Sequence, residues 1–245
     1  MAIRKRIGLV LPSSNTAAEP DFRMAAPDDV TIHTHRMFIA GEGPMSEIMD
    51  RMNQDMEKAA RYLATAGVDL VVYACTTGSF YRGWGFDQEM IRTIEGIAGV
   101  PAIATATAAA EALRFQGAAR VSVTTPYPEW SNERLAEYYT AAGFEVLNVD
   151  GEPNVVAAGG YAISDRDPEE ILDFSVQQCR PEADAHFCSC TAWRSLEIAA
   201  ELERRLSRPV VTSNQATIWA SFKRLDIDPK PGLGSLIDSL VKAPV

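Results

Sequence analysis

Apolar runs closed by polar turns alternate along this chain with stretches of helical spacing. Ile7-Gly-Leu-Val-Leu11 is continuously apolar and ends at Pro12-Ser-Ser-Asn-Thr16, which predicts a buried strand followed by a polar turn. Thr31 to Phe38 alternates weakly and reads as a second strand. From Met45 to Ala66, apolar residues Ile48, Met52, Met56, Ala59, Ala60 and Leu63 recur on one helical face, and Gly67 supplies the stop. Val68 to Ala74 is a second continuous apolar strand, closed by Cys75-Thr-Thr-Gly78. Phe86 to Gly96 then reads as a helix, Pro101 to Thr105 as a strand and Ala106 to Phe115 as a helix.

The pattern then starts again. Val121 to Pro126 is a strand and Asn132 to Ala142 a helix, stopped at Gly143. Phe144 to Val149 is a strand, and Asp167 to Gln178 is a helix whose Asp167-Pro-Glu-Glu start is a good N-cap with acidic first-turn residues. Ala183 to Ser189 leads into Cys190-Thr191. Leu196 to Leu206, Pro209 to Thr212 and Asn214 to Arg224 complete a helix, a strand and a helix. Pro12 and Pro126 lie 114 residues apart, Asp69 and Asp184 lie 115 apart, and so do Cys75 and Cys190. Near-constant offsets at strand ends predict duplicated halves, 1–113 and 114–225, with 226–245 as a C-terminal tail that adds a helix packing on the domain or a partner. Strands apolar on both faces, alternating with helices, predict an α/β fold of two pseudo-symmetric Rossmann-like halves. Each half is expected to hold a short parallel sheet flanked by helices, with any ligand site beyond the strand ends, in a cleft between the halves.

Composition removes several classes of function. The net charge of −10 leaves no general basic face for nucleic acid or anionic lipid. No apolar run approaches a membrane span, and no long apolar segment follows the basic N-terminus, so the expected location is cytoplasmic. In a reducing compartment, Cys75, Cys179, Cys188 and Cys190 are not a disulfide framework, and their spacing is wrong for structural zinc. His33, His35 and Arg36 form a basic cluster that reads as a solvated strand or an interface.

Ligands of parallel α/β sheets bind beyond the carboxyl ends of the strands. Four such ends carry polar clusters here: Pro12 to Thr16 with Ser14 and Asn15, Cys75-Thr76-Thr77, Pro126-Tyr127, and Cys190-Thr191. A pseudo-two-fold would set Cys75 against Cys190 across one cleft. N–H groups at a helix start favour anions and lower a thiol's pKa. Opposed thiols can pass a proton to and from the two faces of a carbon acid, or one can add to an activated alkene while the other moves a proton. Cys179 and Cys188 are assigned to structure. Taken singly, Asn15 is equally a helix cap, Tyr127 a core residue, and Thr76 and Thr191 N-caps.

These motifs, with Tyr73-Ala-Cys-Thr76, Cys190-Thr-Ala-Trp-Arg-Ser-Leu196 and Arg208-Pro-Val-Val-Thr212, resemble the maleate cis-trans isomerase and arylmalonate decarboxylase branch of the aspartate/glutamate racemase superfamily. The resemblance runs from Arg6 to Leu225. It implies an enzyme without a cofactor or metal, acting on a small carboxylic or dicarboxylic acid, as a homodimer or higher homo-oligomer. The maleate isomerases resemble it in the Pro-Ser-Ser-Asn-Thr turn and in both cysteines. That likeness makes Cys75 the nucleophile and Cys190 the acid/base, with Asn15 and Tyr127 on the carboxylates. Ser14, Thr76, Thr77, Asn132 and Thr191 complete the implied substrate contacts. The decarboxylases resemble it in Thr76-Thr77, Ser79 to Gly83 and Asn132 to Leu135 but carry Gly in place of the first cysteine. Racemisation or decarboxylation through an enolate is the alternative, and a non-catalytic dicarboxylate-binding protein a second one. The chain departs from the isomerases at Thr191 to Arg194 and at Ser213 to Gln215. Those segments are expected to line the pocket, where Trp193 and Arg194 would suit a different or larger acid.

Overall fold

A computed structural model describes residues 4–39, 41–158 and 162–242, the side chains of 156–158 excepted. Met1 to Ile3 of the basic N-terminus and Pro244 of the tail lie outside the described residues.

Elements run in the order β1 (Lys5–Pro12), α1 (Ala18–Ala25), β2 (Val30–Met37), α2 (Met45–Asn53), α3 (Met56–Thr65), β3 (Leu70–Tyr73), α4 (Thr76–Phe80), α5 (Phe86–Ala98), β4 (Ala102–Ala104) and α6 (Thr105–Phe115). The second round is β5 (Arg120–Thr125), α7 (Glu129–Ala141), β6 (Glu145–Gly151), α8 (Pro153–Ala158), α9 (Ala162–Asp165), α10 (Pro168–Gln178), β7 (Ala185–Cys188), a 3-10 turn (Leu196–Ile198), α11 (Ala199–Leu206), β8 (Val210–Thr212) and α12 (Ser213–Leu225). A short α13 (Ser235–Asp238) follows in the tail.

Two four-stranded sheets result, ordered β2-β1-β3-β4 and β6-β5-β7-β8, and every pairing in both is parallel. The two sheets share the same strand order. The inner strands β1, β3, β5 and β7 are buried along almost their whole length because helices cover both faces.

The expected single helix from Met45 to Ala66 is two helices. Gln54 and Asp55 close back on Arg51 and Met52 with i→i−3 bonds, and the Asp55 carboxylate accepts the N–H of Phe38 at 2.9 Å. The apolar stripe runs through the break, which is why periodicity alone does not reveal it. Asp167 caps α10 as read, accepting from Glu169 N at 2.9 Å.

Helix α12 is buried on every side from Ser213 to Phe222, as expected of a helix enclosed by protein. It begins at the end of β8 in the second sheet yet packs on α6 and α1 of the first half. Thr217 Oγ1 meets Thr105 Oγ1 at 3.3 Å across that contact. In the tail, α13 buries Leu236 and Ile237, and Ser235 bonds Gln116 just past the end of α6 and Glu203 in α11.

Candidate active site

Cys75 and Cys190 each stand two residues beyond the last residue of a matching strand, β3 and β7. Both line one cavity of about 170 Å³ between the carboxyl ends of the two sheets. Its polar wall holds the two thiols with Ser14, Asn15, Thr76, Thr77, Tyr127 and Thr191. Ile39, Met45, Met49 and Ile163 form an apolar wall opposite in chemistry, and among the described residues no charged side chain lines the space. Two larger, more open grooves contain neither thiol.

The polar wall is tied across the halves. Asn15 Oδ1 accepts from the N–H groups of Ala17 and Ala18, each at 3.0 Å, so it caps the start of α1. Its Nδ2 donates to Thr191 Oγ1 at 3.1 Å, and that hydroxyl donates to the carbonyl of Ala74 at 3.1 Å. The Asn15 loop is therefore fastened to Thr191, directly after Cys190, and through it to Ala74, directly before Cys75. Thr76 Oγ1 donates to Ser213 Oγ at 3.0 Å. The hydroxyl of Tyr127 lies against both Thr76 and the Cys190 thiol.

Each sulfur also accepts a backbone N–H, Cys75 from Gly78 at 3.4 Å and Cys190 from Ala192 at 3.3 Å. The strand-end N–H groups lower both thiols as expected, but burial outweighs them. Burial pushes Cys75 up to about 12 and Cys190 up to about 11, and the hydrogen bonds only partly offset it. The N–H bonds were foreseeable from the turns. The desolvation depends on how completely the second half covers the first.

Three other expectations change. Asn132 is not in the wall: its Oδ1 accepts from Thr125 Oγ1 at 2.6 Å and its Nδ2 donates to the Tyr127 carbonyl at 3.2 Å, so it braces Tyr127 from behind. Trp193 is fully buried away from the cavity, and Arg194 pairs at the surface with Glu197. Ser213 to Gln215 lie behind the thiol loops rather than along the pocket. Ser213 holds Thr76, and Asn214 Nδ2 donates to Asp21 at 2.6 Å and to the Thr191 carbonyl at 3.0 Å.

Arg36, read as part of a solvated cluster, instead holds the Asn15 loop. It donates to the carbonyls of Asn15 at 2.6 Å and Ser13 at 3.2 Å while paired with Glu19. Its signal was only a basic residue near the end of a strand next to β1. The apolar wall also escaped the sequence reading, because Ile39, Met45, Met49 and Ile163 come from segments distant in sequence.

Two parallel α/β halves thus each bring one strand-end cysteine to a shared cavity, in an enzyme of the α/β class. The chain belongs to the arylmalonate decarboxylase family, whose model matches residues 7–237. It is 30% identical over 261 residues to a maleate isomerase of Nocardia farcinica, covering 99% of this chain and 100% of that one. It is 29% identical over 240 residues to an arylmalonate decarboxylase of Bordetella bronchiseptica, covering 95% and 96%. The crystal structure of a variant of the maleate isomerase Iso from Pseudomonas putida S16 with maleate superposes with a TM-score of 0.86 at 26% identity, covering 96% of this chain and 97% of that one.

Proposed function

We propose that this protein interconverts the cis and trans forms of a small unsaturated dicarboxylate, with maleate the leading substrate, through Cys75 and Cys190 and without a cofactor. The observation that carries the reading is that both thiols open on the same enclosed cavity, between polar groups able to hold carboxylates. The maleate isomerases among its relatives support it over the full length of the chain.

In the working state one thiol is ionised and the other protonated. The Cys75 thiolate adds to one alkene carbon of the bound cis-diacid. The neighbouring carbon gains charge, which its carboxylate delocalises, and takes the Cys190 proton. The former double bond is now single and rotates. The Cys190 thiolate then removes a proton from that same carbon as the carbon–sulfur bond breaks, releasing the trans-diacid and restoring both sulfurs. Asn15, Tyr127 and Thr191 hold the carboxylates, and the hydroxyl and N–H groups of Thr76 and Thr77 stabilise the developing enolate. Burial pushes both thiols up, so ionising Cys75 works against its desolvation.

Proton NMR in D₂O with maleate and alkyl-substituted maleates tests this reading. Conversion to the trans-diacid is expected, with Cys75→Ser and Cys190→Ser each lowering turnover at least ~10³-fold while the circular dichroism stays unchanged. No trans product from any of these diacids, or full activity in both variants, refutes it. The apolar wall favours one second reading, reaction of a substituted malonate through the same enolate. Carbon dioxide release from such malonates, with maleate untouched, would establish it.

A further inference from the structure

Cys75 has a second phenolic neighbour that the cavity does not expose. Tyr73 ends β3 two residues before Cys75, so the strand's alternation sends both side chains to the same face. Tyr73 is fully buried, and its hydroxyl donates to Asn53 Oδ1 at the end of α2. The Asn53 amide donates in turn to the Gly78 carbonyl at 3.5 Å and to the Tyr81 hydroxyl at 3.4 Å. Tyr81 donates to Asp50, which Arg82 also holds at 2.6 Å. The phenol is thus anchored from behind by a chain of groups that reaches the surface.

Gly78 places the Tyr73 oxygen and the Cys75 sulfur together. A Cβ on Gly78 would sit 3.0 Å from Cys75 Sγ and deep inside contact distance of Tyr73 Oη. The absent side chain is the space the phenol fills. A hydroxyl that gives its hydrogen to Asn53 keeps a lone pair for the Cys75 S–H. Once that thiol ionises, the same hydroxyl can turn and donate to the sulfur. Cys190 has a phenolic neighbour of its own in Tyr127, which reaches it from beyond the end of β5 rather than from its own strand. The titratable groups facing Cys75 are Tyr73 and, across the cavity, Cys190, with Tyr127 beyond it.

We propose that Tyr73, held by Asn53 and admitted by Gly78, is a positioning residue that steadies the ionised sulfur of Cys75. The inference rests on Cys75 being the nucleophile of the proposed reaction, but its test needs no substrate. Iodoacetamide labelling of the whole protein across pH, read separately for Cys75, Cys190 and Cys179 by peptide mass spectrometry, reports ionisation at each sulfur. For Tyr73→Phe, Cys75 labelling at a fixed pH below its midpoint is expected to slow about tenfold, moving the midpoint up by about one pH unit. Cys190 and Cys179 should keep their profiles. Asn53→Ala, at a half-buried position, should shift Cys75 in the same direction by less. If the proposed reaction holds, kcat of Tyr73→Phe falls by a similar factor with KM within about twofold. An unchanged Cys75 profile in both variants overturns the proposal, and so does an equal shift at Cys75 and Cys190, which would mean general loosening. Should Tyr73→Phe not fold, the Asn53→Ala profile decides. A shifted Cys75 profile in a protein inactive on every diacid would leave this inference standing and the proposed reaction refuted.

Discussion

Gly78→Ala is the substitution whose consequence follows most directly from the geometry. The new methyl would overlap Tyr73 Oη and lie 3.0 Å from Cys75 Sγ and 3.1 Å from Met52 Cε. The methionine end is flexible and can move aside. The phenol cannot, because Asn53 holds it inside a fully buried site. Overpacking of this kind costs about 1–3 kcal/mol. Displacing the hydroxyl from Asn53 adds about 1–3 kcal/mol for buried groups left unpaired. Alanine's better helix propensity returns up to about 1 kcal/mol. The net expectation is a loss of about 1–6 kcal/mol, centred near 3.5 kcal/mol. In a Tyr73→Phe background the oxygen is gone, so the same methyl should cost less than about 1 kcal/mol. Urea denaturation of the wild type, the two single variants and the double variant closes a mutant cycle. Its coupling should exceed about 1.5 kcal/mol. Equal costs of Gly78→Ala in the two backgrounds would refute the view that the glycine exists to seat the phenol.

Two further outcomes follow from the network behind the site. Burial pushes the Asp21 carboxyl up to about 7, with the Asn214 hydrogen bond pulling the other way. The folded chain therefore keeps a proton that the unfolded chain releases near 3.8, so this group's contribution is full below that pH and is lost as pH climbs to about 7. Asp21→Asn should gain stability over the wild type between pH 4.5 and pH 8, by at most about 4 kcal/mol; parallel denaturation midpoints at the two pH values would refute this. Thr191→Val removes the hydroxyl that accepts from Asn15 and donates to Ala74. It should cost about 2–4 kcal/mol and lower turnover, and a denaturation midpoint indistinguishable from wild type would show that the tie between the halves carries no weight.

Much of the site was legible because its parts sit at strand ends. A strand end is a local feature, marked where an apolar run meets Pro, Ser, Asn, Cys or Thr. Asn15, Cys75, Thr76, Tyr127, Cys190 and Thr191 were all found that way, and all line the cavity. Asn132 was found by likeness to the decarboxylases instead, and its amide turns inward to the Tyr127 carbonyl. Arg36 went unrecognised because its targets are backbone carbonyls of the neighbouring strand's loop, which carry no side-chain signal.

The sequence by itself determined the alternation of strand and helix, the doubled pattern and the equivalent places of Cys75 and Cys190. These depend on periodicity and turn residues, which act over a few positions along the chain. Tertiary structure alone decided the rest. It broke the helix at Gln54 and Asp55, assembled an apolar wall from Ile39, Met45, Met49 and Ile163, and sent Trp193 and Arg194 away from the cavity. It also reversed the expected direction of the thiols. A hydrogen bond from a nearby N–H is a local property of the turn. The desolvation that outweighs it arises only when one half closes over the other.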